Sequence, residues 1–314
     1  MRQPGRWHIR AILAALFIGG MIAGCGQSDD ASSSEDGKLE VVATTGMIAD
    51  AVKNIAGETV SIHGLMGPGV DPHLYKATKG DIDRLNSADI IFYNGLNLEA
   101  KMAEIFRQMG SSKTTVPIGD VIPDSLRRHP AQFEGHPDPH IWFDVSLWET
   151  AVQQVAMTLI DRDSARMDLY CQNASAYLDS LDALHQWVKE QIAQIPENQR
   201  VLVTAHDAFG YFGRAYGVEV EGLQGISTVT EAGLYDVTHM IDLLVERKIK
   251  AVFVESSVPR KSIEAVVEGC RSRGHEIVIG GELFSDAMGQ AGTPEGTYLG
   301  MVRHNVNAIV KALK

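Results

Sequence analysis

The sequence predicts an α/β protein of two lobes, each a mainly parallel sheet with helices on both faces, joined by one long helix. Three observations carry that reading. Strand-type apolar runs alternate with helical patterns from Leu39 to Ile118, and the alternation resumes from Val201 to Leu313. Between those stretches, Tyr170, Ala174, Tyr177, Leu181, Leu184, Val188, Ile192 and Ile195 recur at spacings of three and four, the pattern of one helix face. Alternating strand and helix patterns favour parallel strands, because each helix must bury its apolar stripe against the sheet it crosses.

The first lobe is expected over 39–162. Its strand runs are Leu39–Thr45, Val60–Met66, Ile90–Tyr93 and Thr114–Ile118. Its helical patterns are Met47–Ile55, closed by Gly57, then Lys79–Ser87, Glu99–Met109 and Val145–Ile160. Pro123–Pro139 carries four prolines and no periodicity, so it reads as a loop, and its His129 and His136 read as solvated. The linking helix is expected over 163–196, with Asp163 or Ser164 able to cap its start and Pro196 ending it. At 1.5 Å per residue, its core from Ser164 to Ile195 would be roughly 45–50 Å long. The second lobe is expected over 197–314, with strands Val201–Thr204, Val218–Val220, Ala251–Val254 and Glu276–Ile279 and helices Glu231–Arg247, Lys261–Arg273 and Thr297–Leu313.

The first 24 residues stand apart. Arg2, Arg6 and Arg10 precede the apolar run Ala11–Gly20, and Ile22-Ala23-Gly24 closes it with small residues before Cys25. That is the pattern of a lipoprotein signal peptide cut before Cys25, which would then be lipidated. A stretch of about 14 apolar residues is short of the roughly 20 that a spanning helix needs. Residues 25–38 are polar and rich in Ser and Asp, a flexible tether. The expected place is therefore the cell envelope, outside the cytoplasm (periplasm or outer surface), with a lipid anchor.

The precursor's net charge is −12, and loss of the three arginines with no acid leaves −15. Nucleic acid and anionic lipid surfaces are poor partners for such a chain. After Cys25 only Cys171 and Cys270 remain, read as separate buried thiols in different parts of the fold.

Four polar words sit near the mouths of apolar segments: Asp71-Pro72-His73, Asp138-Pro139-His140, Thr204-Ala205-His206 and Ser285-Asp286. They offer three imidazoles and one carboxylate, a complete tetrahedral set for a transition metal such as zinc. In open parallel sheets ligands bind beyond the carboxyl ends of strands, which is where these words fall, two from each half. Proline before His73 and before His140 limits the local backbone. Asp207, Glu255 and Asp144 are the carboxylates placed to hold the imidazoles from behind, or else to act as helix caps or surface charges. Trp142 and Phe209 are expected to pack around the site.

These words, extended to Asp138-Pro139-His140-Ile141-Trp142, Thr204–Tyr211 and Leu283-Phe284-Ser285-Asp286, resemble those of the cluster A-I, or TroA-like, zinc- and manganese-binding solute-binding lipoproteins of ABC importers. The resemblance covers the whole mature chain, with the four ligand positions 67, 66 and 80 residues apart. It implies a TroA-like solute-binding fold of two lobes on one rigid helix. It implies His73, His140, His206 and Asp286 as metal ligands. It also implies delivery of the ion, without chemistry, to permease subunits driven by a cytoplasmic ATPase, by a protein that is itself a monomer. In that family the third position separates subgroups: His, as at His206, favours zinc, while Glu favours manganese. The shortness of Pro130–Pro139, where zinc-dedicated members carry a long His- and acid-rich loop, keeps manganese, and less so iron, in view. Two other classes stay open: a zinc-dependent hydrolase, although Asp286 would fill the position a catalytic water needs, and a surface adhesin stabilised by its metal.

Overall fold

The computed structural model describes residues 37–133 and 135–314. The signal segment, Cys25 and most of the tether lie outside those residues. The first lobe is built on four parallel strands, β1 (Leu39–Ala43), β2 (Val60–Gly64), β3 (Ile90–Tyr93) and β4 (Thr114–Pro117), in the order β2-β1-β3-β4. Residues alternate between faces along each strand, and both faces are covered. Val41, Ala43, Ile90 and Phe92 pack with Met47, Ile48 and Ala51 of α1 (Gly46–Ala56). The intervening Val42 and Ile91 pack on the other side with Leu85 of α2 (Lys79–Ser87) and Phe106 of α3 (Ala103–Met109). α4 (Val145–Arg162) starts at Asp144, whose carboxylate accepts the Ser146 N–H at 3.1 Å, so Asp144 is a helix cap.

The expected linking helix is present with a shorter α-helical part. A 3-10 turn at Ser164–Arg166 leads into α5 (Met167–Ile192), 26 residues and about 39 Å long. Neither Asp163 nor Ser164 caps it. The Asp163 carboxylate instead accepts from Arg166 at 2.6 Å and from the Tyr170 hydroxyl at 2.7 Å. All eight residues of the expected apolar face are buried, and His185 joins them. Near its start α5 meets the first lobe, where Asn173 donates to the Ile55 carbonyl at 2.9 Å and the Tyr177 hydroxyl donates to Asp50 at 3.2 Å. Near its end it meets the second lobe, with His185 Nδ1 3.0 Å from the Tyr216 hydroxyl.

The second lobe holds two parallel pairs, β5 (Val201–His206) with β6 (Glu219–Gln224) and β7 (Ala251–Glu255) with β8 (Val278–Leu283). A short helix that the sequence pattern does not announce, α6 (Gly210–Tyr216), follows β5. Val201, Val203, Val252 and Val254 pack with α7 (Leu234–Arg247) and α8 (Lys261–Ser272). Leu202, Ala251 and Phe253 point the other way, into a core shared with α9 (Tyr298–Leu313) and α5. One hydrophobic core runs from Val41 through α5 to Phe253 and α9, so the lobes share their packing and the described residues form one compact unit. Among the described residues Cys171 and Cys270 are unpaired, on α5 and α8; Cys270 is buried as expected, whereas Cys171 is only partly buried. Among the described residues no helix is long and apolar enough to cross a membrane.

Candidate metal centre

The strands of the second lobe deliver polar side chains at their carboxyl ends. His206 is the last residue of β5, Glu255 the last of β7, and Asp286 follows β8 by three residues. His73 lies on the loop after β2, and His140 closes the proline-rich loop just before the turn that opens α4. The fold brings the four scattered words together: one donor atom from each of His73, His140, His206 and Asp286 lies within 4.8 Å of the others. His73 Nε2 and His140 Nε2 are 3.3 Å apart. Asp286 Oδ1 is 3.3 Å from His140 Nε2, and Asp286 Oδ2 is 3.4 Å from His206 Nε2 and 3.7 Å from His73 Nε2. Zinc bonds of about 2.0–2.1 Å set tetrahedral donor–donor distances of about 3.3–3.4 Å, close to these.

All four residues are at most 2% exposed. His206 Nε2 and both Asp286 oxygens are buried without a hydrogen bond among the described residues. An unpaired buried polar atom costs about 1–3 kcal/mol, so three of them aimed at one point fit a bound cation.

The words Asp-Pro-His share a local geometry. Asp71 Oδ1 accepts the His73 N–H at 2.8 Å, and Asp138 Oδ1 accepts the His140 N–H at 3.0 Å. Each is an Asx turn that clamps the histidine backbone, in addition to the restraint from proline. Asp138 also lies 2.8 Å from His140 Nδ1, which turns Nε2 toward the centre. Glu255 backs His206 by an ion-pair contact, with Oε2 2.6 Å from Nδ1, and by a hydrogen bond, with Oε1 accepting the His206 N–H at 2.8 Å. Carboxylates in these positions hold imidazole orientation and raise its basicity. Asp207 makes no such bond to an imidazole; burial first, and then the Asp138 charge, raise its pKa. Asp138, present in the sequence word but given no supporting role there, and Asn94, whose amide donates to the Pro139 carbonyl at 3.0 Å, are the supporting residues that sequence reasoning misses.

Burial pushes the His73 pKa down to about 3. Burial opposes charge at His140 too, but Asp286 and Asp138 outweigh it and raise its pKa to about 9. At His206 burial again opposes charge, and Glu255 and Asp286 overcome it and raise the pKa well above the usual range. Burial would raise Asp286, but the His206 and His140 charges hold it well below its usual value. Trp142 stands edge-on to His140 at 5.2 Å and donates Nε1–H to the Ser285 carbonyl at 3.0 Å, fixing the loop that carries Asp286. Phe209, buried, lies against Phe143 at 4.2 Å between ring centres.

Residues 41–312 match the family described as zinc-uptake complex component A, periplasmic (ZnuA). The chain belongs to this family. It is 50% identical over 301 residues to the manganese-binding lipoprotein MntA of Bacillus subtilis (strain 168), covering 96% of this chain and 98% of that protein. It is also 50% identical over 302 residues to the zinc-binding protein TroA of Treponema pallidum (strain Nichols), covering 96% of each. The solved structure of the periplasmic zinc-binding protein TroA from Treponema pallidum superimposes with a TM-score of 0.87 at 52% identity, over 88% of this chain and 99% of that one. The fold is thus the two-lobed α/β fold of that structure. The expectation drawn from the sequence words and the family assignment agree, while relatives named for two different metals stand at equal identity.

Proposed function

We propose that this protein is the extracytoplasmic receptor of an ABC importer and that it carries one divalent transition metal between its lobes. The observation that supports this best is the closed, buried set of donors from His73, His140, His206 and Asp286, drawn from both lobes. A receptor needs a site that strips water from the ion and fills its coordination sphere. A hydrolase needs one position left for water, and four converging donors leave none in a tetrahedral site. Zinc is the ion we assign first, because three imidazoles with one carboxylate suit it and the Asp286 oxygens lie 3.3 and 3.4 Å from His140 and His206 Nε2, near the edge of a zinc tetrahedron. Both oxygens of Asp286 face the centre, so a bidentate carboxylate offers the larger manganese ion a fifth donor, and that is the second reading.

In this reading the ion enters while the lobes are parted and is covered when they meet. Asp138 and Glu255 hold two imidazoles ready, so little ordering is left for the moment of binding. The Thr228 hydroxyl donates to Asp71, a bond across the lobes beside His73 that closure would form. The anchor is a lipidated Cys25, the partners are permease subunits with their ATPase, and the receptor acts as a monomer. The test is elemental analysis of protein purified without added metal, followed by competitive zinc and manganese titration. The expected outcome is about one ion per chain with zinc displacing manganese. Protein that carries no metal and binds neither ion would remove the reading.

A further inference from the structure

The motif that runs on from His206 through Phe209 to Gly210-Tyr211 contains a glycine and a tyrosine that metal ligation does not use. Their neighbour explains them. A Cβ built on Gly210 would lie 1.3 Å from Arg128 Nη1 and 2.0 Å from Arg128 Cζ, so the guanidinium lies directly on the glycine's bare Cα. Gly210 does not have a positive φ, so backbone conformation is not the reason for glycine there. The missing side chain is a seat. Arg128 comes from the proline-rich loop of the first lobe, and Gly210 opens α6 in the second.

The same guanidinium donates to Asp138, which is fully buried, while Arg128 is 24% exposed. The backbone doubles the link. Arg128 N–H donates to the Tyr211 hydroxyl at 3.0 Å, and the Tyr211 hydroxyl donates to the Asp138 carbonyl at 3.0 Å. Asp138 N–H donates in turn to the Arg128 carbonyl at 2.8 Å, which ties the two ends of the loop to each other just ahead of His140. Asp138 also holds His140 by its Nδ1 and its backbone N–H. A chain of contacts therefore runs from the second lobe, through a partly exposed arginine, to one metal ligand.

We propose that Arg128 is a positioning residue: seated over Gly210, it latches the lobes and holds the Asp138–His140 arm at the metal centre, and so sets how slowly the ion leaves. This rests on the proposed role of the centre in metal binding. An arginine fits the task because its planar fork can lie flat on a bare Cα while one edge bonds a carboxylate. Zinc release reads the latch directly.

The experiment is stopped-flow zinc release into excess chelator, with nitrogen NMR of the histidine side chains in the zinc-bound protein. Arg128→Met is expected to release zinc about tenfold faster, the scale seen when a ligand's supporting partner is lost. The His140 Nδ1–H signal should broaden while that of His206, held by Glu255, stays sharp; a general loss of structure would disturb both. Gly210→Ala should match Arg128→Met, since its methyl expels the guanidinium, and the double variant should release zinc no faster than either alone. Wild-type release from Arg128→Met, or effects of the two substitutions that multiply, would overturn the latch. A wild-type protein that takes up no zinc would instead remove the reading beneath it.

Discussion

The charges at the centre make a prediction about protons. With His140 raised to about 9 and His206 raised well above the ordinary range, both imidazoles hold protons at neutral pH in the metal-free protein, while His73, pushed down to about 3, does not. A metal binds only neutral imidazole, so capture of the ion must expel these protons. Lowering the pH stabilises the protonated, metal-free form and weakens binding, and affinity keeps rising with pH until His140, near 9, and His206 have both lost their protons. About two protons should leave per zinc at pH 7, which calorimetry in buffers of different ionisation heat counts directly. Zinc uptake that releases no proton at pH 7 would contradict the assignment of charge. The four donors are legible in the sequence because each sits in a polar word at the end of an apolar run. Glu255 is legible because a carboxylate closing a buried strand needs a partner. Arg128 is not, since it lies on a loop with no periodicity and its partner Gly210 is 82 residues away in the chain. Asp207 misleads for a related reason: it is next to His206 in sequence but lies past the strand end, and no hydrogen bond to an imidazole is made by it among the described residues.

At the scale of elements, the linking helix carries the most consequence. Leu181 is fully buried near its middle, in the core that both lobes share. Leu181→Ala should cost about 2–5 kcal/mol, as a large core side chain replaced by a small one does. Because the core is continuous, urea unfolding followed by tryptophan fluorescence and by circular dichroism should still coincide in one transition; two separated transitions would show that the lobes do not share their packing. The helix face is readable because eight apolar residues repeat without interruption. α6 is not, being seven residues with two glycines and no repeating stripe. The sequence pattern places β8 too early for an instructive reason. Gly280 and Gly281 look like a loop in sequence, yet a Cβ on Gly280 would come within 2.6 Å of Ala312 and 2.9 Å of the Phe253 ring. Those glycines let α9 lie close on the strand, so the strand runs on to Leu283 and delivers Asp286 to the centre.

For the whole molecule, the arrangement is one of shared walls. Each lobe brings two of the four converging residues, and bonds that cross between the lobes include Thr228 to Asp71, Trp142 to the Ser285 carbonyl, Arg128 to Tyr211 and Tyr298 to Asp50. The rigid helix and common core supply the frame, and the short loops at the strand ends supply the chemistry. The fold and the four converging residues follow from the sequence pattern; in the proposed reading the identity of the ion depends on bond lengths and on whether Asp286 gives one oxygen or two. X-ray absorption at the zinc edge on the loaded protein tests the central claim most directly. The expected spectrum has three imidazole nitrogens and carboxylate oxygen at about 2.0–2.1 Å, with no sulfur, and loses the oxygen contribution in Asp286→Ala. A shell of water oxygens alone, or a spectrum unchanged by that substitution, would contradict the account.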